Sequence, residues 1–456
     1  MGETVSMFSP SFNGSVKVEA RPERTSSDGG AVLLREGLER SGVMNWLGGV
    51  LEDPRNPNLT VHSLTSQLRS VVLQRAQGWE DQADIDVLRQ DPVFAIASSD
   101  ARGTTPLEAD RASQPTLSRM FALAARDGNR ARLHEGLMRF SGWRLRSENR
   151  GRPYRQLTLD VDGLPIEVFG HQPESAYSGY AGARIYSPLI ASIAETGDLL
   201  DARLRRGNSG SAEDADHWIP QLVHAMRSQR LCRDVLVRMD AGFTGDPTLC
   251  ALEAEKVRYL GRLRNNRALD RLAEPFLSRP PGRRPHEPRE WAHDLIYQAN
   301  EWDEARRVVL VVQESPDDLF LRHFWLVTNL PPERYSPEAV LARYRRRGKA
   351  EAHMGELKSV LSPHLSCTCR GASTVQQVFA RNEINLLLSL YAYQVMHTAR
   401  RILEQRTKEG WSLQRFRERV LKVATTVRVH ARQIQIGVAH TAAQYWQLLF
   451  HALCRT

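Results

Sequence analysis

A chain of 456 residues, 41% hydrophobic and 25% charged, has the composition of a globular protein and is too long for one core, so two or three domains are expected. Its formal charge of +9, from 62 Lys and Arg against 53 Asp and Glu, favours a polyanionic partner over an acidic small molecule. No apolar run approaches the roughly 18 residues of a membrane span, and the start MGETVSMFSPSF lacks the basic-then-apolar order of a signal peptide, which points to the cytoplasm.

Residues 1–28 are polar and rich in Pro, Ser and Gly, as an arm or entry strand would be. From Gly29 to Leu51 the periodicity is helical until Asn56-Pro57-Asn58 ends it, and a second helix is expected over about 60–77. In GWEDQADIDVLRQDP, Asp84, Asp86 and Asp91 read as caps and turn formers. SQPTLSR opens another helix, capped by Ser113 or Thr116 with Pro115 in its first turn. Residues 1–150 therefore form a mostly helical module, either a packing and oligomerisation bundle or a DNA end-binding unit. Five cysteines, with Cys367 and Cys369 one residue apart and no second pair at zinc-site spacing, are read as reduced thiols.

At Tyr154 the texture changes. RQLTLDVDG alternates and is β-branched, so it predicts a strand carrying Asp160 and Asp162 on one side, with a turn at Gly163 and a second strand beyond. ARIYSPLIASIAE and DLLDARLRRGN suggest two more strands, and SAEDADHWIPQLVHAMRSQ a helix. DVLVRMDAGFTG is a nearly all-apolar strand ending in Asp240, as a buried central strand would be when it delivers an acid to the carboxyl edge of its sheet. This is an α/β plan over 151–258. Residues 259–335 interrupt it with a β-rich insertion whose Pro-rich tip lies near 279–288.

A helix is then expected over about 336–361, at the start of a segment 336–400 that completes the core. At about 100° per residue, Tyr344, Arg347, Glu351 and Lys358 share an arc of roughly 60°, while Ala350, Met354, Leu357 and Leu361 fill the adjoining one. A solvated helix with Arg and Glu at i,i+4 has the same spacing. Residues 401–456 are expected to be helical, with helices over 412–430 and in AAQYWQLLFHAL.

Two acids from strands and one from a helix, Asp162 (or Asp160), Asp240 and Glu351, suit phosphodiester chemistry. Two hard divalent ions activate the attacking oxygen and neutralise the leaving one, and Mg²⁺ prefers carboxylates to His or Cys. Arg347 and Lys358 then contact phosphate, and Tyr344 hydrogen-bonds a phosphate or stacks on a base. No GxxxxGK[ST] loop appears, so no nucleotide cofactor is expected.

Tyr344-x2-Arg347-x3-Glu351-x6-Lys358 matches the Tyr-Arg-Glu-Lys signature of a large group of bacterial insertion-sequence transposases of the DDE type, and the chain resembles that group. GWEDQADIDVLRQDP, SQPTLSR, LDVDG with GYAGARIYSPL, and RMDAGF extend the resemblance over most of 30–400. It implies an RNase H-like mixed sheet flanked by helices, a β-rich insertion before the catalytic Glu helix, and a helical N-terminal DNA-binding module. It further implies two Mg²⁺ ions, with Mn²⁺ able to substitute, held by Asp162, Asp240 and Glu351. The implied partners are double-stranded DNA, as terminal inverted repeats and target, and a second copy of the chain in a dimer acting at the bacterial nucleoid. Relatives usually read Asp-Gly-Thr where this chain has Asp162-Gly163-Leu164. A nuclease without strand transfer and a catalytically silent DNA-binding derivative are the alternatives.

Overall fold

Period-two alternation makes strand β1 (Tyr154–Gly163), which sends Leu157, Leu159 and Val161 into one buried apolar cluster. Thr158 and Asp160 face the other side of the sheet and are buried as well. The computed structural model describes residues 10–454 apart from 14, 19–21, 283–285, 368–370 and 373, and for 349–351 the helical backbone without the side chains. Cys369 and part of the Pro-rich tip therefore lie outside the described residues; Cys232, Cys250, Cys367 and Cys454 are free thiols.

β1 is the pivot of an eight-stranded sheet with β2 (Leu189–Ile193), β3 (Leu199–Arg203), β4 (Cys232–Met239), β5 (Arg258–Leu263), β6 (Arg289–Tyr297), β7 (Arg306–Glu314) and β8 (Arg322–Thr328). The order is β6-β7-β8-β5-β4-β1-β2-β3. β2 and β3 meander antiparallel away from β1, whereas β4 and β5 run parallel to it. Five strands in the order 3-2-1-4-5 with these directions are the expected RNase H-like mixed sheet. Within residues 259–335, β6, β7 and β8 build no separate sheet; β8 pairs antiparallel with β5 and carries the central sheet onward.

Helices close both sides. α1 (Asp127–Glu148) leads into β1, α2 (Ala215–Ser228) connects β3 to β4, and α3 (Asp246–Ala254) connects β4 to β5. The apolar stripe of α2, Trp218, Ile219, Leu222, Val223 and Met226, packs into the cluster beneath β1. On the opposite side Leu236 and Leu260 meet Val340 and Leu341 of α4 (Pro337–Arg345).

One helix was expected over 336–361, but two are present. α4 ends at Arg345 and α5 runs Gly348–Val360, with Arg346 and Arg347 between them. There the amide of Arg347 bonds the carbonyl of Tyr344, three residues back instead of four, which tightens the turn and separates the helices. The apolar side of α5 follows the predicted arc, with Met354, Leu357 and Leu361 all buried.

α6 (Val375–Thr407) has 33 residues, is buried over most of its length, and is the axis around which the N-terminal helices pack. Those helices include Ala31–Ser41 and Val43–Val50, split where Gly42 takes φ +68°, then Leu64–Ala76 and Gln114–Ala124. Gly136 of α1 lets the Tyr391 hydroxyl approach and donate to the Leu133 carbonyl at 2.7 Å. The helix expected over 412–430 is a correction: after Leu421 the chain forms a hairpin, Thr425–His430 with Gln433–Val438, which also pairs strand Arg24–Ser26. TTVRVH alternates and is β-branched, and that pattern outweighs the helical flank before it.

His134 of α1 joins β3 to α6: its Nδ1 lies 2.6 Å from Asp201 and its Nε2 3.7 Å from Glu383. Burial opposes its charge, yet these two carboxylates push its pKa up to about 10. A pKa raised on folding contributes stability that is complete below the unfolded value near 6.5 and is lost as pH rises toward 10. Unfolding free energy should therefore fall across that window by no more than about 1.4 kcal/mol per pH unit from this group, and His134→Gln should remove that component in denaturant titrations.

Candidate active site

β1 and β4 are parallel neighbours in which Val161 pairs with Met239, so the next residue on each, Asp162 and Asp240, stands at the same carboxyl edge. Neighbouring strands are separated by about 4.8 Å. One oxygen of each acid is held by the backbone just beyond it. Asp162 Oδ1 accepts from the Gly163 amide at 2.9 Å, and Asp240 Oδ1 accepts from the Gly242 amide. Gly242 is required for closeness: a Cβ there would lie 2.7 Å from Ser211 Cβ and 3.2 Å from Asp240 Oδ1.

Arg347, in the turn between α4 and α5, donates to Asp162 Oδ2. Glu351 follows one turn later on α5; its backbone is helical, and its side chain lies outside the described residues. Tyr344 is half-buried at the end of α4, packed against the cluster of Leu236, Leu260 and Val340. Lys358 is exposed on α5, seven residues or about 10 Å of helix beyond Glu351. The chain thus gathers Asp162, Asp240 and Arg347 at one edge and sets Lys358 further along.

Asp160 has another environment. It is 1% exposed, and Arg238 grips both its oxygens, Nε to Oδ1 at 2.6 Å and Nη2 to Oδ2 at 2.7 Å. Burial raises its pKa against the lowering pull of Arg238. Arg238 also donates to the Arg343 carbonyl at the end of α4, at 2.7 Å. Sequence reasoning passed over Arg238, although a charge inside an apolar strand, two residues before Asp240, must have a buried partner.

Glu356 was also missed. On α5 it accepts from Arg400 of α6 at 2.5 Å and from the Leu413 amide at 2.9 Å. Burial works to raise its pKa, but His353, Arg400 and Leu413 pull it down to about 2. His353 itself lies flat against Gly197, where any Cβ would meet the ring at 2.7 Å. A second acidic group, Asp246, Cys250 and Asp303, places ligand atoms within 4.8 Å of one another. The Arg306 guanidinium already donates to Asp246 at 2.6 Å and to Cys250 at 3.2 Å, so a fixed cation balances that cluster.

Residues 8–455 of the chain match the family model for the transposase DDE domain, group 1. The chain belongs to that family. A solved structure similar to this transposase is a piggyBac transposase synaptic complex with hairpin DNA, at 12% identity and a TM-score of 0.43, over 95% of this chain and 82% of that one. None of the curated proteins compared matches it. Among the described residues, no helix is long and apolar enough to cross a membrane.

The two aspartates of β1 should separate cleanly by mutation. Asp160→Ala strands a buried guanidinium and should cost on the order of 3–5 kcal/mol in urea unfolding. Asp162→Asn weakens a partly buried pair, with side chains 22% and 12% exposed, but leaves a polar amide facing Arg347, so it should cost less, about 1–2 kcal/mol.

Proposed function

We propose that this chain is a DNA transposase that binds the terminal inverted repeats of an insertion sequence, cuts at the element ends, and joins the freed 3′ hydroxyl to target DNA. Asp162, Asp240 and Glu351 are its catalytic acids. The observation that carries this reading is the placement of Asp162 and Asp240 side by side at the carboxyl edge of two parallel strands, with α5 beginning directly after the Arg347 that pairs with Asp162.

The donor set suits a hard divalent cation: two carboxylates at a sheet edge, each with one oxygen fixed by a backbone N–H, and no His or Cys beside them in the proposed set. Asp162, Asp240 and Glu351 would hold Mg²⁺, most simply two ions, with Mn²⁺ as a substitute. Bound there, the ions would supply a water of lowered pKa and neutralise the leaving 3′ oxygen. The protein's own residues do the rest. Arg347 offers a guanidinium fork that fits two phosphate oxygens, Lys358 is a point charge further along α5, and the Tyr344 phenol hydrogen-bonds DNA at the turn. Each step exchanges one phosphodiester for another or for water, so no nucleotide is consumed.

In this reading residues 1–150 bind the DNA ends, 151–258 and 336–400 form the catalytic core, 259–335 extend its sheet, and two copies hold two ends at the bacterial nucleoid. The net charge of +9 supports a polyanionic partner.

Purified protein incubated with a labelled terminal-repeat fragment, target plasmid and Mg²⁺ should cut and join. Asp240→Ala and Glu351→Ala should bind the fragment yet lose at least about 10³-fold in rate. Cutting with no joined product would favour a nuclease, and binding by every version with no cutting by wild type would leave only a DNA-binding derivative. Binding should also weaken on the order of 10³-fold between about 50 and about 200 mM salt, given six or more phosphate contacts. A flat salt response would contradict the DNA-binding half of the proposal.

A further inference from the structure

Between β1 and β2, where two antiparallel neighbours could be joined by a tight turn, the chain makes a long excursion over 164–188. Its stems leave the sheet two residues beyond Asp162: Asp162 pairs with Ile190 and Gly163 with Leu189, and the Leu164 amide bonds the Pro188 carbonyl at 2.9 Å. The excursion thus grows from the edge that presents Asp162 and Asp240. It folds as a three-stranded sheet of Ile166–Glu167, Ala176–Ser178 and Ala183–Tyr186.

Its base is anchored and its tip is not. Tyr186 is fully buried, stacked edge-on to Phe379 of α6, with its hydroxyl donating to the Pro173 carbonyl at 2.5 Å. Gly207 lies against the backbone of Ala176 and Ile185, where a Cβ would come within 2.3 Å. At the other end a compact turn, closed by Gly182 N–H to the Ser178 carbonyl at 2.8 Å with Gly182 at φ +66°, carries Tyr180 at 98% exposure. Tyr177, 68% exposed, stands across from Arg184 on the strands behind it.

Turn tips are ordinarily polar, and an aromatic ring held in water by an ordered turn gains nothing for folding. A phenol ring on a rigid stalk is suited to the π-face of a nucleobase. We propose that Tyr180 is a stacking platform for an unpaired base of the DNA end being processed, on a stalk braced behind it by Arg184, whose guanidinium donates to the Ser175 carbonyl at 2.8 Å. This inference rests on the proposed transposase function and adds a DNA contact on the β1–β2 excursion.

The test places 5-iododeoxyuridine at successive terminal positions of the end fragment, bound by full-length protein in Ca²⁺, and maps photo-crosslinks by mass spectrometry. The expected crosslink joins the Tyr180 peptide to one position beside the cut and vanishes in Tyr180→Ala, while Tyr180→Trp retains it. In Mg²⁺, Tyr180→Ala should slow cutting of a fully paired end about 10- to 100-fold, with part of that loss recovered on an end already mismatched at that position. Crosslinks that avoid this peptide, Tyr180→Ala cutting at the wild-type rate, or equal losses on paired and mismatched ends would overturn the inference and leave the transposase reading intact. A self-association abolished by Tyr180→Ala with no crosslink would assign the tip to a second copy of the chain and likewise overturn it. Wild-type protein that does not bind the end at all would overturn the underlying function, and the inference with it.

Discussion

The Asp160–Arg238 pair is the interaction on which the geometry of the sheet edge depends. It joins the two parallel strands that lead to Asp162 and Asp240, and the third nitrogen of Arg238 donates to the Arg343 carbonyl in the last turn of α4. Two charges this deeply buried are stable only with both hydrogen-bonding faces satisfied, so strand register and helix position are set together. Two residues further along each strand, Asp162 and Asp240 then emerge at the edge in register, just beyond the buried Val161–Met239 pair. A buried acid that orients and a second acid at the sheet edge follow from one alternating strand.

The helix opposite is fixed by a second pair. Glu356 faces Arg400 and the Leu413 amide, and Met354 and Leu357 are buried beside it, so α5 is held on its inner side by one charge contact and a short apolar row. Gly197 admits His353 against the β2–β3 turn, which brings α5 close to the sheet. Arg347, at the head of α5, reaches Asp162 across the gap. Two residues separated by 185 positions meet because strand and helix are each anchored elsewhere.

Much of this was legible in the sequence. Alternation located β1, the apolar run ending in Asp240 located β4, and the spacing of apolar residues located the inner side of α5, because each pattern reflects a face that must be buried. Reading Asp162 over Asp160 could not come from spacing, since both point to the same side of the strand; the distinction lies in Arg238, two strands' worth of sequence away. The break at Arg346–Arg347 was hidden because Arg is a good helix former and only a one-residue change in hydrogen bonding marks the turn. The C-terminal hairpin was missed for the opposite reason: a helical flank masked six alternating residues whose partner strand is Arg24–Ser26, some four hundred residues earlier in the chain. Continuation of the sheet through β6, β7 and β8 was equally hidden, because a hairpin's own sequence does not say which edge it will extend.

If Asp162, Asp240 and Glu351 together hold the divalent ions, iron put in their place will cut the chain beside all three. Fe²⁺ substituted for Mg²⁺ reduces added hydrogen peroxide to hydroxide and hydroxyl radical where it binds, and the radicals cut the polypeptide nearby. Fragments ending near residues 162, 240 and 351 together, all suppressed by excess Mg²⁺ and all lost in Asp240→Ala, are the result predicted. Cuts confined to the neighbourhood of Asp246, Cys250 and Asp303, or cuts near one acid that persist without the other two, would contradict it.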